Sequence, residues 1–334
     1  MPQPERFIRW RRWQVATVFG LVLAATLSSC PEAVVARSRR APASPPTTPP
    51  EQALTGGLVR LRAPRSTMIR VAASRFSMGS TEADVMTALA ECRAGRTDSR
   101  GRPRTARAWS VCREERFQIE LHQHSVTLSS YWLDRTEVTV AAYEQCVRLR
   151  RCLPIPYAQG AARFSRGSFP VSLVTHERAS TYCKFRGARL PTEAEFERAA
   201  RGVTGRRFPW GNLFNHRACN HGRLGWTTTD ARDGFAELAP VGSFPSGRTP
   251  DGFLDLAGNV AEWVSDTFAV AYPKKPRTNP TGAGLNSSTG VKVVRGGGYD
   301  SPPPLVRGAA RDAAEPSTLR PTLGFRCARS AAPR

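Results

Sequence analysis

Arg189-Leu190-Pro191-Thr192-Glu193-Ala194-Glu195-Phe196-Glu197 is the stretch around which the rest of the chain can be organised. Thr192 and Glu195 stand at capping-box spacing, so the hydroxyl and the carboxylate satisfy each other's orphan backbone donors at a helix start. Phe196, Ala199 and Ala200 then share one face before Gly202 ends the helix. Towards the N-terminus, a second helix is predicted over 176–186, stopped at Gly187, and a third has Val140, Tyr143 and Val147 at helical spacing behind Thr139. Val126 and Leu128 alternate with polar neighbours as a strand, and residues 68–78 read as a strand or strand pair ending at Gly79. Residues 81–93 are predicted helical, with Thr81 as N-cap and Val85, Leu89 and Cys92 inward, and 93–107 is loop-like. Past Gly202, periodicity fades for about 130 residues rich in Gly, Pro, Asn, Asp and Trp, and such a stretch normally needs bridges or metal ions to hold it. Strand-like pieces break it only at 291–294 and 323–327.

The whole chain has 334 residues, 40% hydrophobic and 23% charged, enough to bury a large core. Its formal charge is +22, which raises nucleic acid as a partner. Only four of the basic residues are lysines (Lys184, Lys274, Lys275, Lys292), and the arginines run from Arg6 to Arg334 without gathering on one element. This pattern is a compositional bias, and no nucleic-acid partner is expected.

Arg6, Arg9, Arg11 and Arg12 precede an uncharged run over 15–29, a basic n-region followed by an apolar h-region too short for a permanent span. The run ends Leu27-Ser28-Ser29-Cys30, similar to the lipobox of bacterial lipoproteins, in which the cysteine becomes lipidated. The expected organisation is a lipoprotein signal peptide over 1–29, a Pro-rich tether over 30–57 starting at Cys30, and a globular domain over 58–334 with an insertion at about 80–116. The implied location is outside the cytoplasm, periplasmic or surface-facing, held to a membrane by the lipid. Seven further cysteines imply three bridges and one free thiol. Proximity favours Cys92 with Cys112 and Cys146 with Cys152; connectivity is otherwise open.

Six motifs fall in order: Asp134-Arg135-Thr136-Glu137-Val138-Thr139, the stretch quoted first, Phe208-Pro209-Trp210-Gly211-Asn212, Ala257-Gly258-Asn259-Val260-Ala261-Glu262-Trp263, Val294-Arg295-Gly296-Gly297-Gly298-Tyr299 and Gly324-Phe325-Arg326-Cys327. Together they resemble the sulfatase-modifying-factor domain, the fold of the formylglycine-generating enzyme. The resemblance implies an α+β, C-type-lectin-like domain with little regular secondary structure. It also implies a Cys183–Cys327 bridge, worth roughly 4 to 5 kcal/mol by the chain-entropy model, which leaves Cys219 as the odd thiol. Two calcium sites carry over: Asn220, His221 (backbone), Asp233 and Phe235 (backbone); and Asp255, Gly258 (backbone), Val260 (backbone) and Glu262. The chemistry agrees, because Ca²⁺ takes six to eight hard oxygens and a Gly-Asn turn can present carbonyls between two carboxylates.

The enzymes of this family bind copper through two cysteine thiolates shortly after the Arg-x-Gly-Gly motif, a pairing of soft ligand with soft ion. Here the matching stretch, Tyr299-Asp300-Ser301-Pro302-Pro303-Pro304-Leu305-Val306-Arg307, contains no cysteine. Copper and formylglycine generation are therefore not expected. His122-x-His124 on a strand face and His216-x-x-Cys219-x-His221 have spacings that suit another metal. The Gly296–Gly298 run reads as close backbone packing rather than a phosphate cradle. The expected function is a calcium-stabilised binding or scaffold module for an envelope protein or glycan. The alternative is an oxidoreductase of the same superfamily with a different metal.

Overall fold

The structure, a computed structural model, describes residues 67–94, 112–157, 161–222, 231–281 and 290–331. The expected signal peptide, tether and Cys30, and most of the 93–107 loop, lie outside the described residues. Among the described residues no helix is long and apolar enough to cross a membrane.

Three small sheets, five α-helices and three short 3₁₀ turns make up the regular structure described. In the first sheet β4 (Tyr131–Asp134) is central, antiparallel to β1 (Met68–Val71) and to β10 (Ala328–Ser330). In the second, β3 (His124–Leu128) pairs antiparallel with β2 (Ser74–Met78) and parallel with β6 (Arg277–Thr278). The third runs in the order β8 (Arg311–Ala314), β7 (Lys292–Arg295), β5 (Ala261–Thr267), β9 (Leu323–Gly324). The helices are α1 (Glu82–Ala94), α2 (Glu115–Gln118), α3 (Val140–Arg148), α4 (His176–Phe185) and α5 (Glu193–Arg201).

Local chemistry accounts for most element ends. The side chains of Thr139, Thr175 and Thr192 each accept an N-terminal amide hydrogen of α3, α4 and α5. At α5 the full capping box is present: Thr192 Oγ1 accepts from Glu195 N at 3.1 Å and Glu195 Oε2 from Thr192 N at 2.8 Å. The expected inward face of α5 is too narrow, because all nine of its residues are buried, charged ones included. Strand β5 is absent from the sequence-based reading for a related reason. Five of its first six residues are buried, so both faces are covered and no apolar–polar alternation marks it.

One apolar cluster gathers α3, α4 and the C-terminal strands around Tyr143, Tyr182, Trp263 and Phe325, with the Cys183–Cys327 disulfide inside it. A second packs Phe196 and Ala199 of α5 against β1 to β4. The insertion helix α1 forms a third with Phe117 and Leu305, closed by Cys92–Cys112. The third disulfide joins Cys146 to Cys152, and Cys219 is the free cysteine.

His176, first residue of α4, donates from Nε2 to the Val264 carbonyl at 3.0 Å and meets the Trp263 ring edge-on. Burial, aided by Lys292, holds this imidazole below its ordinary pKa of 6.5. The unfolded chain therefore takes up the proton more readily, so stability present above pH 6.5 declines as the pH falls below it. In urea unfolding the native chain should lose more stability between about pH 7.5 and about pH 5.5 than His176→Gln does. Equal losses would remove His176 as the source.

Candidate functional site

After β7 the backbone turns through Gly296 (φ +86°) and Gly297 (φ +67°), a left-handed run that favours glycine. A Cβ on Gly298 would lie 2.9 Å from Thr322 Cβ, and one on Gly297 2.8 Å from the Leu305 carbonyl oxygen. The triplet is thus close packing, as expected from its composition. Ser301 Oγ accepts from Gly298 N at 3.1 Å, and Ser301 O accepts from Gly222 N, tying the turn to the 220–222 segment. Residues 303–305 form a single 3₁₀ turn, fixed by the prolines, that carries Leu305 onto α1 and buries Val306. A cavity of about 70 Å³ opens over this turn, its wall including Asp300, Ser301, Arg320 and Thr322. Burial raises the Asp300 carboxyl above its usual range.

The two expected calcium segments meet. Gly258 has φ +80°, and a Cβ there would fall 2.0 Å from the Asn220 carbonyl oxygen, so only glycine permits the approach. That carbonyl accepts from Asn259 N, and the Asn220 amide donates to Asn259 Oδ1 at 3.1 Å. In the first set, Asp233 accepts from the backbone N–H of His221 (2.8 Å) and of Phe235 (2.9 Å), and Asn220 Oδ1 is buried with no hydrogen-bond partner. A buried amide oxygen without a donor, on the residue next to the one whose N–H the Asp233 carboxylate holds, suits a hard cation.

In the second set, Glu262 is engaged by Arg326, whose Nε and Nη2 donate to both carboxylate oxygens at 2.7–3.0 Å. Asp255 accepts from Gly242 N at 2.6 Å. A third carboxyl, Glu137, completes the group: Oε1 accepts from Asn259 Nδ2, and the carboxyl also lies within hydrogen-bonding reach of that of Asp255, a contact between two acceptors that needs a proton between them. Burial, and then mutual repulsion, raises the carboxyls of Glu137 and Glu262; burial raises that of Asp255. Three buried carboxylates to one guanidinium leave an excess of two negative charges, which bound protons or a divalent cation would balance. Glu137 lies in the first family motif, but nothing in its local sequence connects it to residues more than a hundred positions away.

The histidine arrangements are not as expected. His122 lies outside β3 at φ +69°, with Nδ1 against the Tyr272 carbonyl, while His124 Nδ1 faces the His122 carbonyl. The two do not share a strand face. In the other motif, His216 Nδ1 and His221 Nε2 are 3.1 Å apart, and His221 Nδ1 faces the Gly222 carbonyl. Cys219 packs separately among Phe208, Ala257 and Val306, and burial pushes its thiol well up. Among the described residues no group of three or more His, Cys, Asp or Glu side chains is placed to hold a metal ion.

The model of the sulfatase-modifying factor enzyme 1-like domain matches residues 60–331. The chain belongs to this family. It is 41% identical over 177 residues to the formylglycine-generating enzyme of Streptomyces coelicolor, covering 50% of this chain and 54% of that protein. Over 183 residues it is 35% identical to the inactive C-alpha-formylglycine-generating enzyme 2 of Mus musculus, covering 53% of this chain and 54% of that one. The chain thus spans about half the length of these relatives. PvdO from Pseudomonas aeruginosa superposes at a TM-score of 0.58 and 23% identity, over 79% of this chain and 94% of that one. Treponema denticola variable protein 1 does so at 0.57 and 19%, over 80% and 95%. These likenesses establish the fold, the C-type-lectin-like sulfatase-modifying-factor architecture.

Within this sulfatase-modifying-factor domain, buried arginines are what sequence reasoning missed. Arg295 bridges Glu193 (3.0 Å) and Glu197 (2.7 Å), Arg311 meets Glu193 at 2.6 Å, and Arg307 meets Glu120 at 2.7 Å. All three are buried, so part of the arginine excess serves the interior.

Proposed function

We propose that this sulfatase-modifying-factor domain is a non-catalytic, calcium-stabilised binding or scaffold module, lipid-anchored through Cys30 in a bacterial envelope. The observation that carries this reading is the stretch 299–307. It has no thiol, and the free Cys219 is sealed among apolar side chains with its proton held tightly. Copper therefore lacks its pair of soft ligands. The relative named as inactive supplies a precedent within the family. Its ligand would be an envelope polypeptide or glycan.

Calcium would be held by Asn220, the His221 and Phe235 carbonyls and Asp233, and at the second set by Asp255, the Gly258 and Val260 carbonyls and Glu262. Its contribution is to cross-link an irregular segment and to satisfy the lone oxygen of Asn220. Because the ion binds only the folded form, calcium at about 100 times Kd should stabilise the chain by about 2.7 kcal/mol. Thermal unfolding should shift upward from chelator to calcium, and Asp233→Asn should shrink that shift. An unchanged midpoint would argue against both sites.

The close His216–His221 pair favours a second reading, a metal-dependent oxidoreductase. Elemental analysis of the full chain, purified without chelator, separates the two. Calcium without transition metal supports the binding module, and stoichiometric iron or copper overturns it. Intact mass of membrane-extracted protein reads the acyl chains expected on Cys30.

A further inference from the structure

The first sheet turns a row of two cations and an indole towards solvent. Strand pairing sets Arg70 of β1 opposite Trp132 of β4, and Trp132 opposite Arg329 of β10, so the three side chains stand beside one another on one face. With strands about 4.8 Å apart the row is about 10 Å across. Arg70 and Arg329 are exposed and Trp132 is half-buried, whereas the alternate positions Val71, Tyr131, Leu133 and Ala328 pack into the core.

This face has no counter-charge from its own strands. Arg70 Nη2 donates to the Ser130 hydroxyl at 3.1 Å, and the Arg329 guanidinium lies 5.7 Å from the centre of the Trp132 ring. Among the described residues neither arginine is ion-paired with a carboxylate. Asp134, the one acidic residue in the three strands, is buried and held by Arg186 at 2.7 Å. A guanidinium stacked over an aromatic ring keeps its in-plane N–H groups free for phosphate oxygens. An indole between two such cations is the kind of amphipathic ring that settles at headgroup depth. The arrangement is flat and open, which suits a surface that offers many phosphates rather than one enclosed ligand.

We propose that the Arg70–Trp132–Arg329 face docks on an anionic phospholipid surface and so fixes the orientation of the domain. The inference rests on the reading of the chain as anchored through Cys30. Because β1 is the first strand described, the chain coming from Cys30 joins the domain through this sheet. An anchor on the same molecule converts a weak face-to-membrane contact into an intramolecular one, so two arginines and one indole suffice.

The test uses the full chain purified from membranes and reconstituted into vesicles of phosphatidylcholine alone, or of phosphatidylcholine with phosphatidylglycerol, both with brominated acyl chains that quench a nearby indole. The emission lost on Trp132→Phe identifies the signal of this residue. That signal should be quenched in the anionic vesicles and not in the neutral ones, and high salt should restore it. Arg70→Gln with Arg329→Gln should lower the contact equilibrium about 30-fold, about fivefold for each arginine, while lysine at both positions keeps most of it. Arg150→Gln with Arg151→Gln removes the same charge from exposed positions after α3 and should change the contact by no more than about twofold. The exposed substitutions should leave the unfolding midpoint unchanged. Equal quenching in both vesicles, equal losses from the two glutamine pairs, or no loss from the first pair would each overturn the proposal. A Trp132 emission shift with polyglutamate but not with anionic vesicles would assign the face to an acidic polypeptide and overturn it as well. Intact mass keeps the two failures apart. Acyl chains on Cys30 without quenching of Trp132 sink only this inference; a chain without acyl chains sinks the anchor reading, and the same emission, read on adding vesicles to the free protein, then decides the face by itself.

Discussion

Arg326→Met should destabilise the domain by about 3 to 5 kcal/mol, the loss expected when one partner of a buried ion pair is removed. The reason lies in how completely the guanidinium is used. It is fully buried, pairs with Glu262 through two nitrogens, and donates to the carbonyls of Asp134, Arg135, Leu254 and Asp255. Methionine has similar bulk but no donor, so four carbonyls and a carboxylate would be left in the interior together. At about 2 to 4 °C per kcal/mol for a domain of this size, the unfolding midpoint should drop by roughly 6 to 20 °C. Adding Glu262→Gln should recover part of the loss, since it removes the stranded charge. If the double variant is no better than the single one, packing rather than charge dominates.

The second large effect concerns the disulfides. Their separations are 144 residues for Cys183–Cys327 and 6 for Cys146–Cys152. If the bridges act mainly by restricting the unfolded chain, removing the long one should cost about 4 to 5 kcal/mol and the short one only about 2. The long bridge also sits in the Tyr143, Tyr182 and Phe325 cluster, so truncating it to alanines loosens packing as well. Denaturant unfolding of Cys183→Ala/Cys327→Ala against Cys146→Ala/Cys152→Ala gives the comparison. A larger loss from the short bridge would refute the loop-length account.

Elements whose cause is local were readable in advance. The capping box of α5, the threonine caps of α3 and α4, and the turn at Gly79 depend on groups within a few residues, and those groups are written in the sequence. The expected calcium segments were legible only through the family motifs. That the two segments touch through Gly258 and Asn220, that Glu137 joins Asp255 and Glu262, and that Arg326 already occupies Glu262 were not legible at all. Each depends on a contact across scores of residues, and no spacing rule carries that information.

The sequence by itself determined the family, the helix starts and the lack of a thiolate pair in 299–307, because residue identity and near-neighbour spacing settle each of these; it favoured the two short disulfides by proximity, and the structure closed them. Only the tertiary structure decided that α5 is covered on every side, that β5 is a buried strand, that the His122/His124 pair does not form, and that Arg295, Arg307 and Arg311 are buried against Glu193, Glu197 and Glu120. Burial and long-range pairing set the energy of a charged or polar group, and both exist only once the chain has closed around it.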